Sequence, residues 1–351
     1  MMRFFNFSTR QCLLAIFTLC LFFPVKAQDF ISGGIAYYVT DAENKKAEVA
    51  YLDGEFSGVV EIPSTVTAMV YPMYEEPYEA TLTITGIGSY AFEYNDQVTE
   101  VILPNTIEYI GYSAFYQCTS LNRINLPNQL KSIGESAFGY TALESVVIPQ
   151  SVTSLGWNVF YSCASLTSVT LPNTITSLHG TFLWCTALKD VNIPNSVTMI
   201  YDAFRGCSSL SSIIIPNSVV NISNNAFYQC DALTDITCLA QTPPTVSNAN
   251  CFYSQLFDIY NTATLNVPMP CVDAYKNAYV WKNFTNITGI SDAEQGDVDG
   301  DGRVTIADVT GLIDLLLNGT GDSNPVADVD GDGRVTIADV TALIDILLNS
   351  N

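Results

Sequence analysis

The sequence predicts a mainly β solenoid of stacked repeats, with short turns or helices in each, followed by a small all-α module of two loop-helix repeats. Three observations carry this. An apolar–Pro pair ends at Pro63, Pro104, Pro127, Pro149, Pro172, Pro194 and Pro216, and after the first interval the steps are 23, 22, 23, 22 and 22 residues. A phenylalanine recurs in register at Phe92, Phe115, Phe138, Phe160, Phe182, Phe204 and Phe227. One acidic segment, Asp-Val-Asp-Gly-Asp-Gly-Arg-Val-Thr-Ile-Ala-Asp, occurs twice, at 297–308 and at 328–339.

The chain of 351 residues opens with Arg3 and Arg10, an apolar run from Cys12 to Phe23, and Val25-Lys26-Ala27 before Gln28. That order predicts a secretory signal peptide over residues 1–27. The run is shorter than a bilayer span requires, although a retained anchor is the alternative. Lipid attachment through Cys20 is disfavoured by Leu19, which stands where a small residue is needed.

Each feature of the repeat has a physical task. The stretch Leu-x-x-Ile-x-Ile-Pro ends in alternating apolar residues, which describes a half-buried strand. Pro stops the strand because it has no N–H to donate. The asparagines behind it (Asn105, Asn128, Asn173, Asn195, Asn217) favour a turn. A second apolar run, such as Val152 to Leu155 or Val197 to Ile200, packs on the opposite wall. Ala-Phe then opens a tight turn or short helix, with the ring inside the coil. A unit of about 22 residues cannot bury its apolar side alone, so stacked units share one core.

The 41-residue interval from Pro63 to Pro104 is one unit plus an insertion around Tyr71–Tyr78, read as hairpin-like. Residues 28–60 are expected to cap the N-terminal end as strands. Leu265–Pro268 is expected as the last strand. Val272 to Phe284 is expected as a short capping helix anchored by aromatic rings. Terminal repeats depart from the pattern because they cover the open end of the core.

Cys118, Cys163, Cys185, Cys207 and Cys230 occupy one repeat position. They could be a disulfide ladder, a metal site, or a column of small buried thiols. Their odd number and their spread along a stack favour the thiols. Cys238, Cys251 and Cys271 leave room for one disulfide in the C-terminal cap.

The unit Ala-Phe-x-x-Cys-x-x-Leu-x-x-Ile-x-Ile-Pro-Asn-Ser-Val-x-x-Ile, complete over residues 204–222, resembles the BspA-like leucine-rich-repeat proteins of bacterial surfaces. The resemblance covers roughly residues 30–290. Val159 and Thr181 replace the Ala before Phe160 and Phe182, and the unit around Tyr140-Thr141 lacks the Cys. The family implies a leucine-rich-repeat solenoid, surface exposure, and binding or adhesion to a protein or glycan ligand.

The duplicated acidic segment fits a calcium loop, with acids at positions one, three, five and twelve and Gly at six. Asp297, Asp299 and Asp301 alternate so that they face one hard cation. Gly302 permits the sharp turn. Arg303 offers its carbonyl, Thr305 sits where contact runs through water, and Asp308 closes the loop. Asp328, Asp330, Asp332, Arg334, Thr336 and Asp339 repeat the set, so two Ca2+ ions are expected. Val309, Leu312, Ile313 and Leu316 have helical spacing, as do Val340, Leu343, Ile344 and Leu347, and the two stripes are expected to pack together. Crowded carboxylates couple folding to the metal.

Asp at position twelve and the lack of a preceding helix resemble a type I dockerin, over residues 296–349. By that resemblance the module binds a cohesin-type partner, and loop positions ten and eleven contribute. Here these are Ile306-Ala307 and Ile337-Ala338, whose repetition implies a near-symmetric module able to bind in either orientation through apolar contact. The expected divisions are therefore 1–27 signal peptide, 28–290 solenoid with its caps, and 291–351 dockerin-like domain.

The formal net charge is -22. Residues 28–290 carry 22 acids against 8 bases, and residues 291–351 carry 13 against 2. Such a surface repels nucleic acid and anionic membrane, and no segment of the mature chain is long and apolar enough to span a bilayer. With a single histidine, His179, read as a surface residue, most Ser/His, Cys/His and His-zinc arrangements are excluded. No phosphate-binding glycine loop occurs, and the acids converge on no cleft. The sequence therefore predicts no catalytic site.

Outward positions of the main strand form two columns: Glu100, Arg123, Ser145, Ser168, Asp190, Ser212, Asp235, and Ile102, Asn125, Val147, Thr170, Asn192, Ile214, Thr237. They are either a docking face for protein or glycan, or a merely solvated sheet. The expectation is a secreted or cell-surface, non-catalytic adhesion protein. The alternatives are a spacer in a dockerin–cohesin surface complex and a component of a polysaccharide-acting complex.

Overall fold

The computed structural model describes residues 29–51, 56–71, 76–290, 296–298, 304–318 and 326–349. The expected signal peptide lies outside them, as do Asp299, Asp301 and Arg303.

The repeats wind into a β-solenoid of about nine turns. Each turn gives a short strand to two walls, and strands of successive turns pair in parallel. One wall runs through Gly58–Glu61, Val98–Ile102 and Arg123–Ile124, then Ser145–Val147, Ser168–Thr170 and Asp190–Val191, then Ser212–Ile215, Asp235–Cys238, Thr264–Pro268 and Asn286–Ile290. The opposite wall runs through Tyr78–Ile87, Tyr109–Ile110, Ser132–Ile133 and Ser154–Leu155, then Ser177–His179, Met199–Tyr201, Asn221–Ser223 and Thr245–Val246. The register advances one repeat per turn, as in Ile213 opposite Ile236 and Ile200 opposite Ile222. Between strand and opposite wall, Pro-Asn-Ser-Val closes a β-turn: the N–H of Val197 donates to the Pro194 carbonyl at 3.0 Å, and Val152 does the same to Pro149.

The recurring phenylalanines form one internal stack, extended by Phe252, which the weakening period concealed. Neighbouring rings lie 5.1–6.0 Å apart and within 22° of parallel. All are fully buried. Leu, Ile and Val of both walls enclose them in one continuous core.

The cysteine column is a set of free thiols that cross-link turns by hydrogen bonds. Cys163 Sγ donates to the Phe138 carbonyl (2.9 Å), Cys185 to Phe160 (3.0 Å), Cys207 to Phe182 (3.2 Å) and Cys230 to Phe204 (3.1 Å). Each thiol thus adds a second hydrogen bond to a buried carbonyl that already accepts the N–H three residues on in its own turn. In the unit without cysteine, Thr141 fills the slot: its Oγ1 donates to Phe138 O and lies 3.3 Å from Cys163 Sγ. The cap cysteines 238, 251 and 271 are free as well.

The Ala-Phe turn holds two left-handed residues per repeat, one on each side of the ring. Examples are Ser136 (φ 55°) with Tyr140 (φ 61°), and Asn158 (φ 58°) with Ser162 (φ 55°). Such residues cost about 1–3 kcal/mol each unless their surroundings fix them. Here the stack fixes them. The N–H groups of Ser136, Phe138 and Tyr140 donate to carbonyls of Trp157, Val159 and Tyr161 in the next turn. Close backbone approach also matters: a Cβ on Gly134 would meet Gly111 at 2.6 Å.

The N-terminal cap is a β-meander, Asp29–Ser32, Ile35–Asp41 and Lys46–Val49, and the insertion is an antiparallel hairpin of Thr65–Val70 with Tyr78–Ile87. At the other end, Val272–Asn277 and Trp281–Asn283 cover the last turn. The Tyr275 hydroxyl donates to Ala240 O and Trp281 Nε1 to Pro244 O, while Trp281 and Phe284 pack on Phe252. Leu265–Pro268 is not the final strand. Asn286–Ile290 follows and pairs with it, because an apolar edge left bare would invite other strands.

Two outcomes are expected. Phe160→Ala removes a ring stacked on both sides and lowers stability by about 3–5 kcal/mol in urea unfolding. Burial pushes the thiols of Cys118 and Cys251 up to about 12. Among the described cysteines only Cys271, which is partly exposed, should therefore react with Ellman's reagent before denaturation, as thiol counting would record.

Candidate metal and docking sites

The C-terminal segment forms two helices, Ile306–Asn318 and Ile337–Asn349, of nearly identical sequence. Val309 and Leu312 of the first meet Val340 and Leu343 of the second, with Ala327 and Val329, in a small core separate from that of the solenoid.

Both helices start alike. Thr305 is the N-cap: its Oγ1 accepts from Ala307 N at 3.1 Å, and Asp308 Oδ2 reaches back to Thr305 N at 2.7 Å. Thr336, Ala338 and Asp339 repeat these bonds at 3.1 and 2.7 Å. This is a capping box, satisfying the donors left over at a helix start. The Thr-x-x-Asp spacing that signals it stands in both segments, inside the last positions of the calcium-loop pattern. Asp308 and Asp339 are fully buried, and the second oxygen of Asp339 accepts from Asp330 N at 3.1 Å.

In the second loop, Asp328, Asp330 and Asp332 place one carboxylate oxygen each within 4.8 Å of one another. The chain wraps around them through Gly331 (φ 76°) and Gly333 (φ 83°), and Gly333 N donates to Asp328 Oδ2 at 2.8 Å. Burial pushes the Asp328 carboxyl above the usual range. Backbone N–H groups of Gly333 and Gly331 act against this, and the charges of Asp339 and Asp332 add to it. Clustered hard oxygens on a tight loop, with one carboxylate partly desolvated, fit a divalent cation of the calcium type. In the first loop Asp297 is buried among the described residues, and Thr305 and Asp308 take the same places as their counterparts.

The helix exteriors correct one expectation. Ile313 and Ile344 were placed in the inter-helix core but are 39% and 40% exposed. A spacing of seven then four residues puts Ile313 in line with Ile306 and Leu317, and Ile344 with Ile337 and Leu348, on the outer face. Ile306, Leu317, Ile337 and Leu348 are all more than 70% exposed. Leu315 and Ile346 pack inward beside Leu316 and Leu347.

On the solenoid, the two outward columns of the main strand lie on its surface: Arg123, Ser145, Ser212 and Asp235 are exposed, as are Ile102, Asn125, Val147, Thr170 and Asn192. His179 is not an isolated surface residue. It ends a strand and stacks on Trp157 at 4.9 Å, with an interplanar angle of 12°. No helix among the described residues is long and apolar enough to cross a membrane.

Family models match both parts of the chain. A family model for the dockerin type I domain matches residues 295–348. Among solved structures, the chain is similar to the leucine rich repeat protein TpLRR of T. pallidum (26% identity, 59% of this chain and 91% of that one, TM-score 0.48). It is similar also to a leucine-rich repeat protein from Bacteroides ovatus (26% identity, 74% and 76%, TM-score 0.43). No curated protein matches the chain. The model of the BspA type leucine rich repeat region matches in six copies over residues 85–203 and 179–291, more than half of the sequence, and the chain belongs to that family.

Proposed function

We propose that this chain is an exported, non-catalytic binding protein whose solenoid is the receptor and whose C-terminal module is a calcium-loaded tether. The observation that carries the reading is the duplicated, solvent-facing apolar stripe: Ile306, Ile313 and Leu317 on one helix, and Ile337, Ile344 and Leu348 on the other. A small module does not expose six large apolar side chains in two matching rows for its own stability; such patches mark contact surfaces. A cohesin-type partner suits the dockerin match, and both matched kinds of domain are non-catalytic.

In this reading residues 1–27 are removed on export, residues 28–290 form the receptor, and residues 291–351 form the tether, an all-α module with two calcium loops. Asp297, Asp299, Asp301, Asp308 and the carbonyl of Arg303 hold one ion, and Asp328, Asp330, Asp332, Asp339 and the carbonyl of Arg334 hold the other. Thr305 and Thr336 act through water if they touch the metal, since their hydroxyls already cap the helices. Calcium neutralises the crowded carboxylates and so fixes the loops that position Ile306-Ala307 and Ile337-Ala338. The flat sheet of the solenoid takes the surface ligand, protein or glycan.

Titration calorimetry of the chelated chain is expected to find two calcium ions. At free calcium 100-fold above Kd, the C-terminal unfolding transition should gain about 2.7 kcal/mol for each ion bound, and Asp328→Asn with Asp330→Asn should remove one ion. Capture on an immobilised type I cohesin should need calcium and fall at least tenfold in the double variant Ile306→Asp, Ile337→Asp. Single variants should retain binding, because either orientation suffices. Capture unaffected by chelation or by the double variant would contradict the reading.

A further inference from the structure

One position of the repeat carries a column of side chains that neither the core nor the main sheet uses. Hydrogen bonds between consecutive turns fix the order: Ser113 N to Glu135 O, Ser136 N to Trp157 O, Asn158 N to His179 O, Gly180 N to Tyr201 O. The column therefore reads Tyr112, Glu135, Trp157, His179, Tyr201, one residue per turn, at about 4.8 Å per turn. Tyr112 is 42% exposed and Trp157 49%.

The rings are not evenly spread. Trp157 lies over His179 and leans far enough to come within 5.4 Å of Tyr201, two turns away. Tyr112 leans the other way, with Tyr90 at 5.2 Å. The two aromatic groups thus draw apart at the turn of Glu135. What remains is a notch in the row of rings, about two turns wide, bounded by Tyr112 and Trp157, with the exposed Glu135 on the turn between them. Glu135 has no hydrogen bond or ion pair through its side chain among the described residues. Lys131, on the same turn, is held by Glu108.

Two half-exposed rings flanking a carboxylate with no partner of its own suit one chemistry. Aromatic faces attract a cation by their quadrupole, and a guanidinium also pairs with a carboxylate through a planar fork. The solenoid as a whole favours the same sign, since residues 28–290 carry 22 acids against 8 bases. A neutral sugar could donate a hydroxyl to Glu135, but only a cation gains from the full charge of the carboxylate and the ring quadrupoles together.

We propose that the notch of Tyr112, Glu135 and Trp157 is a recognition site for an arginine or lysine side chain of a protein partner. The proposal rests on the reading of the solenoid as a receptor and names the chemistry of one contact. The stacked rings from Trp157 to Tyr201 extend the site along the axis, so a peptide segment lying beside the column can follow the cation with apolar residues.

The test is an NMR titration of the full mature chain, calcium-loaded, following the Trp157 indole N–H. The probe is the capped peptide Gly-Ser-Arg-Ser-Gly, with citrulline in place of arginine as its neutral counterpart. The expected result is a saturable shift with the arginine peptide, weakened at least fivefold by citrulline, by Glu135→Gln and, by at least threefold, by Tyr112→Ala. Glu144→Gln, an equal loss of charge on an exposed residue elsewhere, should leave the affinity within twofold. Equal effects of Glu135→Gln and Glu144→Gln would overturn the proposal in favour of general charge attraction. A shift with cellohexaose that Glu135→Gln leaves unchanged would overturn it in favour of a glycan platform. A surface protein bound by the solenoid with no response to Glu135→Gln would overturn the notch and leave the receptor reading in place.

Discussion

The fold depends on each turn completing the one before it. The Ala-Phe bend places two left-handed residues within a few positions, a backbone that an isolated peptide would abandon. It persists because its N–H groups find carbonyls in the next turn, and because a thiol from the following repeat reaches back to the carbonyl of Phe. The stacked phenylalanines then bury the largest apolar surface of every unit against both neighbours. Hydrogen bonding and burial thus run in the same direction, along the axis. No single turn satisfies its own polar groups, and no single ring is covered on both faces without its neighbours.

That dependence explains where function can reside. The interior tolerates little variety, as the substitution of Thr141 for cysteine illustrates: the replacement keeps a donor in the slot. The outside of the bend is free, because its side chains point away from every bond that holds the turn. Repetition then copies each outward position at a fixed step. A column of outward residues becomes a ruled surface, on which Tyr112, Glu135, Trp157, His179 and Tyr201 can differ from turn to turn at no cost to the stack. The C-terminal module repeats the logic on a smaller scale. Two copies of one segment bury Val309, Leu312, Val340 and Leu343 between them, and display matching rows of Ile and Leu outside.

Much of this was legible in the sequence, because period is a strong signal. The spacing of Pro and Phe located the strands, the turns and the central stack, and the excess between Pro63 and Pro104 located the hairpin. The duplicated aspartates marked the second loop, whose carboxylates do gather. Other features left weaker traces. Left-handed residues announce themselves as glycine only at Gly180 and Gly206 in this column of bends; elsewhere Ser, Asn, Asp, Gln, Tyr and Trp take the conformation. Phe252 escaped the period because its turn is lengthened by the loop before it. Ile313 and Ile344 were misplaced because helical spacing gives a stripe without saying which side of it meets the partner helix. Trp157 and His179 have unlike neighbours in sequence, and only the stack brings the two rings together.

The stacked-turn dependence is tested most directly by native-state hydrogen exchange at single-residue resolution. The N–H groups of Ser136, Tyr140, Ser162 and Trp184, all in partly exposed bends, should exchange no faster than the buried strand amides of Val146 and Val169. Their exchange should also report the same opening free energy. Rapid exchange at the bends, with the strands still protected, would mean that the turns stand without one another and would contradict the account.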